Sequence, residues 1–90
     1  GVQAQIATGT RDLPTLPVRM YPNPAREFTR LEGLPKSGQV VVSNLQGQII
    51  FRSSINNPYM DIPLQGLSKG AYSVQLLSAQ GIWHNKLLVQ

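Results

Sequence analysis

Short apolar runs alternate with turn-forming residues along the chain from residue 18 onward. The runs recur at intervals of about ten residues, a spacing typical of all-β domains. They cover residues 18–21, 27–32, 39–43, 48–53, 59–64, 70–77 and 82–89. The spacers are rich in proline, glycine and asparagine, which favour turns over continued strands. Since no helical periodicity is sustained, the pattern predicts seven strands and no long helix.

Alternation of apolar and polar positions identifies the buried face of the last two runs. The residues predicted to face the core there are Tyr72, Val74, Leu76, Trp83, Leu87 and Val89. His84 and Lys86 fall on the opposite, solvent-facing side of the last run. The second run departs from alternation, because Phe28 and Leu31 lie three residues apart, and a β-bulge or only partial pairing is predicted there.

The predicted fold class is all-β: a seven-stranded antiparallel β-sandwich of immunoglobulin-like architecture, which short strands and tight turns favour over a barrel. It is expected to occupy residues 18–90. Residues 1–17 have a different composition, with small polar residues at 7–12 followed by Pro14 and Pro17. Proline fixes φ and disfavours helix, so residues 1–17 are predicted to be a linker that is extended in its second half.

Composition narrows the class of protein. A chain of 90 residues is long enough for one small domain with one modest core. Its hydrophobic content of 41% and charged content of 13% are not those of a disordered chain. The net charge is +4, but the eight Lys and Arg residues are scattered and form no basic run. Without cysteine the chain holds no disulfide framework, thiolate metal site or cysteine nucleophile.

Four segments of the chain occur in a characteristic order and spacing. They read VRMYPNPA at 18–25, VVVSNLQGQII at 40–50, LQGLSKGAYSV at 64–74 and KLLV at 86–89. In this order the segments make residues 18–90 resemble the C-terminal sorting domain of proteins secreted by the type IX system of Bacteroidetes. Each segment alone is a weak signal, whereas their combination is specific.

The resemblance implies a set of sorting-motif residues. They are Pro22, Asn23, Pro24, Gly47, Leu67, Gly70, Tyr72, Lys86 and Val89. Members of the family end with a lysine, a short apolar run and usually a second basic residue, and Gln90 stands at that last position here.

The resemblance also implies a function. Such a domain directs an N-terminal cargo domain of the same chain through the outer-membrane type IX translocon, with the help of outer-membrane shuttle components. A sortase-like surface peptidase then commonly cuts upstream and attaches the cargo to the surface. The implied location is the periplasm in transit, then the outer-membrane surface or the extracellular space. Residues 1–5 lack the charged start and apolar stretch of a signal peptide, so that signal is expected elsewhere.

Several motif residues also have structural explanations. Pro22 and Pro24 cannot donate to a β-ladder, so they end the first strand and turn the chain. Gly47 and Gly70 lie where turns need positive φ or the absence of a side chain. Two roles stay open for Lys86, which is either an ordinary solvated charge or part of the recognised terminus.

The residues offer little for catalysis. The acidic residues are Asp12, Glu27, Glu32 and Asp61. Glu27 and Glu32 are five positions apart, which places them on opposite faces of a regular strand. Asp61, His84 and Ser73 are the residue types of a hydrolase triad, but no Gly-x-Ser-x-Gly nucleophile elbow accompanies them. No catalytic, cofactor-binding or metal-binding residue is predicted, and the protein is expected not to be an enzyme.

Two binding functions are alternatives to sorting. A small β-sandwich can be a carbohydrate-binding or adhesion module, for which Trp83 and Tyr59 are candidate stacking residues, provided that they are exposed in one plane. The positive charge suggests an oligonucleotide-binding barrel, but that fold interleaves aromatic with basic residues on one face. Here Tyr72 alternates with Val74 and Leu76 instead, so no nucleic-acid partner is expected.

Overall fold

The computed structural model describes residues 15–90, and seven strands occupy this part of the chain. In chain order they are β1 (Arg19–Tyr21), β2 (Phe28–Glu32), β3 (Gln39–Ser43), β4 (Ile49–Ser54), β5 (Tyr59–Pro63), β6 (Gly70–Ser78) and β7 (Gly81–Val89). The all-β class and the seven strands predicted from the apolar runs are therefore confirmed. Within the described residues, no helix is long and apolar enough to cross a membrane.

The strands form two antiparallel sheets, in the orders β1-β2-β5 and β4-β3-β6-β7. Their inner faces share one apolar core, to which both sheets contribute. The fully buried side chains are Thr29, Leu31, Val40, Val42, Ile62, Leu64, Val74, Leu76 and Leu87. All six residues of β6 and β7 that alternation assigned to the core are buried. Burial of these apolar side chains is the main favourable contribution to folding.

β2 is a regular, fully paired strand, so the bulge or partial pairing predicted there is wrong. It pairs with β5 residue by residue, from Phe28 opposite Pro63 to Glu32 opposite Tyr59. Phe28 points outward and is 44% exposed, whereas Thr29 is fully buried. The prediction failed because a threonine takes an inward position that the apolar pattern gave to phenylalanine.

Thr29 is acceptable in the core because its hydroxyl has a partner. The Oγ1 atom donates a hydrogen bond to the carbonyl of Pro22 at 2.9 Å. A buried hydroxyl without such a partner is destabilising. The contact also ties β2 to the loop that precedes it.

β4 pairs with β3 and lies in the four-stranded sheet. In constant-type immunoglobulin domains the fourth strand lies instead beside the fifth, in the other sheet. The register of the β3 and β4 pair shifts between Val42 and Ser43, where Ile50 is the extra residue of β4. This shift is a β-bulge, a common feature of edge strands.

The residues just before β1 lie against β7. Thr15 forms a parallel bridge with Ile82, and the Leu16 amide donates to the Ile82 carbonyl at 3.0 Å. Leu16 packs against the core. Residues 1–14 of the predicted linker lie outside the described residues, while Thr15 and Leu16 contact the edge of the four-stranded sheet.

Neighbouring leucines test the orientation of β7. Leu87→Ala should lower the free energy of unfolding by about 2–5 kcal/mol, because it removes a fully buried side chain and leaves a cavity. Leu88→Ala is the matched control, since Leu88 is 41% exposed, and it should cost about 1 kcal/mol or less. Urea unfolding followed by Trp83 fluorescence measures both. Equal losses would show that Leu87 does not face the core.

Candidate functional site

The topology brings the predicted motif residues to one end of the two-sheet structure. Every strand is antiparallel to its neighbours, so β1, β3, β5 and β7 end where β2, β4 and β6 begin. We call this end the motif pole, formed by residues 22–27, 44–48, 64–69 and 86–90. The sheets meet there, because Ala25 forms a parallel bridge with Val89. The predicted motif residues lie in the motif pole or in the first three positions of β6.

Asn23 binds the exposed edge of β7 with its side chain. Its Nδ2 donates to the Lys86 carbonyl at 2.8 Å, and its Oδ1 accepts from the Leu88 amide at 3.0 Å. A carboxamide carries the same donor and acceptor as a peptide group. Asn23 therefore takes the place of a neighbouring strand at an edge that would otherwise be open.

The backbone of Ala25 continues this pairing. The Ala25 amide donates to the Leu88 carbonyl at 2.8 Å, and the Ala25 carbonyl accepts from the Gln90 amide at 2.8 Å. The Lys86 amide donates to the side chain of Asn85 at 2.8 Å. The outward backbone groups of the last part of β7 are thus held by side chains and by the loop after β1.

The rest of the motif pole contains an open groove of about 420 Å³ between the β3–β4 turn and the β5–β6 loop. Leu67 lines it and also packs against the core. Tyr72 is buried, and its hydroxyl donates to the Ser68 carbonyl at 2.6 Å. The Leu67 amide donates to the Leu64 carbonyl at 3.1 Å. Leu67 and Tyr72 therefore fix the shape of the loop from inside.

Backbone conformation explains the two glycines of the motif. Gly47 has φ +87° and Gly70 has φ +142°, a region that residues with a side chain rarely adopt. No atom lies within 4 Å of a Cβ built on either residue, so conformation and not crowding requires glycine. The turn before Gly47 is held by Asn44, whose Oδ1 accepts from the amides of Gln46 and Gln48 at 3.0 Å each.

The terminal motif is divided between core and solvent. Val89 is buried in the core, whereas the Lys86 side chain is exposed on the outer face of the four-stranded sheet. Lys86 lies opposite Ser73 of β6, so its immediate neighbour on that face is short. Of the predicted motif residues, Pro22, Asn23, Pro24, Gly47 and Gly70 are also exposed. These exposed residues are the ones available to a partner.

The outer face of the three-stranded sheet carries an ion pair that sequence reasoning missed. Arg30 donates from Nε and Nη2 to the carboxylate of Asp61, at 2.7 and 3.0 Å, and its guanidinium lies 4.9 Å from the ring centre of Tyr59. The hydrogen bonds from Arg30 hold the pKa of Asp61 below its usual value. Arg30 and Asp61 are 31 residues apart, so no local pattern marks them as partners.

A second pair lies in the next row of the same face. Arg19 donates to Glu32 Oε1 at 2.8 Å, and the Tyr21 hydroxyl donates to Glu32 Oε2. The hydrogen bond to Glu32 raises the pKa of Tyr21. These groups are exposed, so the pairs contribute order to the surface more than stability.

The residues considered for other chemistry do not meet. Asp61 points outward from the three-stranded sheet, while His84 points outward from the four-stranded sheet. Trp83 is 9% exposed and faces the core, whereas Tyr59 is exposed on the outer face of the three-stranded sheet beneath Arg30, so these aromatics form no common exposed plane. Among residues 15–90 no group of three or more His, Cys, Asp or Glu side chains is placed to hold a metal ion.

Comparison with known proteins gives one family. The family described as the secretion system C-terminal sorting domain matches residues 19–90. Among solved structures the chain is similar to PorZ, described as an essential bacterial surface component of the type IX secretion system of Porphyromonas gingivalis. The TM-score is 0.73 and the identity 18%, over 82% of this chain and 11% of PorZ. The chain thus spans about a tenth of PorZ, and this likeness concerns the fold. No curated protein matches significantly.

Replacing Asn23 tests its role at the edge of β7. Asn23→Ala should lower the free energy of unfolding by about 1–2 kcal/mol, because the Lys86 carbonyl and the Leu88 amide lose their partner. Amide hydrogen exchange at Leu88 should become faster. Asn57→Ala, in the exposed loop at the opposite end, is the control. If Leu88 exchanges at the same rate in Asn23→Ala as in the unaltered protein, Asn23 does not hold β7.

Proposed function

We propose a function for this chain from one premise: it belongs to the family of secretion system C-terminal sorting domains. In this proposal it is a non-catalytic signal for type IX secretion that acts on a cargo domain preceding it in the same chain. The observation that carries the proposal is the family match over residues 19–90. The fold shared with PorZ, a surface component of that system, supports it.

The motif pole is the part of the domain that we propose meets the secretion machinery. Its exposed residues Asn23 and Lys86 are joined by a hydrogen bond between the Asn23 side chain and the Lys86 carbonyl. A partner therefore meets the loop after β1 and the last strand as one surface, although they are far apart in sequence. The proposed partners are the type IX translocon and its outer-membrane shuttle components.

The proposed route passes through the periplasm to the outer-membrane surface or the extracellular space. There a sortase-like peptidase acts on the segment before the domain, and the cargo is released or anchored. We propose residues 1–17 as that linker and residues 18–90 as the sorting domain. Thr15 and Leu16 lie against β7, so we place the proposed site of peptidase action before them.

We also propose that the fold is immunoglobulin-like with the fourth strand switched between sheets. The remaining strands follow the constant-type arrangement: β1, β2 and β5 in one sheet, and β3, β6 and β7 in the other. Only the partner of β4 differs, and the β-bulge at Ile50 accompanies that difference.

A transport assay tests the sorting function. Residues 18–90 fused behind a periplasm-targeted fluorescent protein should carry it to the surface of a cell that has the type IX machinery. The measured quantity is the fraction of the fusion that reaches the surface. It is determined from fluorescence after cell fractionation and from protease accessibility of the fusion in intact cells. A strain without the translocon is the control and should retain the fusion in the periplasm. A folded, intact fusion that stays in the periplasm of the competent strain would refute the proposal.

A further inference from the structure

Paired and unpaired charges lie on opposite outer faces of the described structure. Arg19 and Arg30 are each neutralised by a carboxylate of the three-stranded sheet. The segments that form the four-stranded sheet, residues 39–54 and 70–89, contain no Asp or Glu. Their two cations, Arg52 and Lys86, are exposed. The four-stranded sheet therefore presents positive charge that this part of the chain does not balance.

Strand register places these cations on a single face. Arg52 lies opposite Val41, Val41 opposite Gln75, and Gln75 opposite His84, which makes one row across all four strands. With a strand spacing of about 4.8 Å the row is about 14 Å long. Lys86 lies two residues beyond His84 on the same side of β7, about 7 Å away. We call the outward surface of this sheet the basic face.

Short side chains lie next to Lys86, and apolar side chains border the basic face. Lys86 is followed across the sheet by Ser73 and then by Ser43, which are short. Leucines lie at both ends of the basic face, where Leu77 is 50% and Leu88 is 41% exposed. A positively charged face bordered by exposed apolar side chains is suited to contact with another surface.

We propose that the basic face docks on an acidic surface of a protein of the secretion machinery. Carboxylates of the partner meet Arg52 and Lys86, and apolar side chains of the partner cover Leu77 and Leu88. The proposal rests on the proposed sorting function and names a surface and a partner chemistry for it. The proposed docking surface extends beyond the motif pole to Arg52. Arg52 is not one of the predicted motif residues.

Charge complementarity selects this partner. The field of exposed charges extends about 8 Å at physiological ionic strength, so uncompensated cations favour an encounter with an acidic surface before contact. An anionic membrane is a poorer fit, because membrane recognition uses clusters of about 4–8 basic residues. The basic face has two basic residues, Arg52 and Lys86, which lie on opposite edge strands of the sheet.

Single charge reversals on the fluorescent fusion test the proposal. Arg52→Glu should slow the appearance of the fusion at the surface about tenfold, since steering toward an acidic surface is reversed. Lys36→Glu is the matched control, with the same charge change at an exposed loop residue at the end opposite the motif pole, and should be exported at the unaltered rate. Arg52→Gln should give an intermediate rate. All three variants should keep the thermal midpoint of the parent domain.

The outcomes separate this inference from the function on which it rests. If the unaltered fusion is exported and Arg52→Glu and Lys36→Glu match its rate, the basic face is not a docking surface. If the unaltered fusion itself stays in the periplasm, the sorting function fails and this inference fails with it. If Arg52→Glu unfolds the domain, the double variant with Arg52→Gln and Lys86→Gln is tested instead. An export rate equal to that of the unaltered fusion in this folded variant would also show that the basic face is not a docking surface.

Photo-crosslinking and vesicles identify the partner class. A photoreactive residue replaces Gln75, which lies in the middle of the basic face. In cells that have the type IX machinery it should give a discrete adduct. Peptide mapping should assign this adduct to an Asp/Glu-rich segment of a secretion-system protein. Arg52→Glu should remove that adduct. Sedimentation with phosphatidylglycerol-containing vesicles should show no binding. Binding to these vesicles that Arg52→Glu abolishes would overturn the proposal in favour of a membrane surface.

Discussion

A strand at the edge of a sheet has outward backbone groups that need partners, and in β7 the Asn23 carboxamide supplies them. Its two hydrogen bonds, to the Lys86 carbonyl and the Leu88 amide, join residues more than sixty positions apart. The pairing of Ala25 with β7 follows from the same contact. With this edge held, Leu87 and Val89 stay in the core and the Lys86 side chain stays on the outer face. The Asn23 side chain thus links the packing of β7 in the core to the position of the exposed Lys86.

Antiparallel pairing explains why residues scattered along the chain form one site. Since neighbouring strands run in opposite directions, every second connection falls at the same end of the molecule. The loops after β1, β3 and β5 and the end of β7 meet there. Two kinds of residue are mixed in this region. The buried Tyr72 and the positive-φ glycines Gly47 and Gly70 shape the backbone, while the side chains of Asn23 and Lys86 are accessible from outside.

Periodicity and turn residues predict the strands well, because both are local. Each predicted run agrees with its strand to within one residue at either end. The burial of Tyr72 and Leu87 follows from the same alternation. Side-chain partners were not predictable from a local pattern. The Thr29 hydroxyl donates to the carbonyl of Pro22 in the preceding loop, and Arg30 of β2 pairs with Asp61 of the neighbouring strand β5. The motif residues came from family resemblance, and only the structure reveals that Asn23 contacts β7.

The folded state depends on β7, the seventh of the described strands. Trp83, Leu87 and Val89 enter the core from this last strand, and both hydrogen bonds of Asn23 end on it. A chain interrupted during synthesis before Gly81 lacks these groups and leaves the preceding strands with an unfinished core. The core can therefore be completed only once β7 has been synthesised, after the six strands before it.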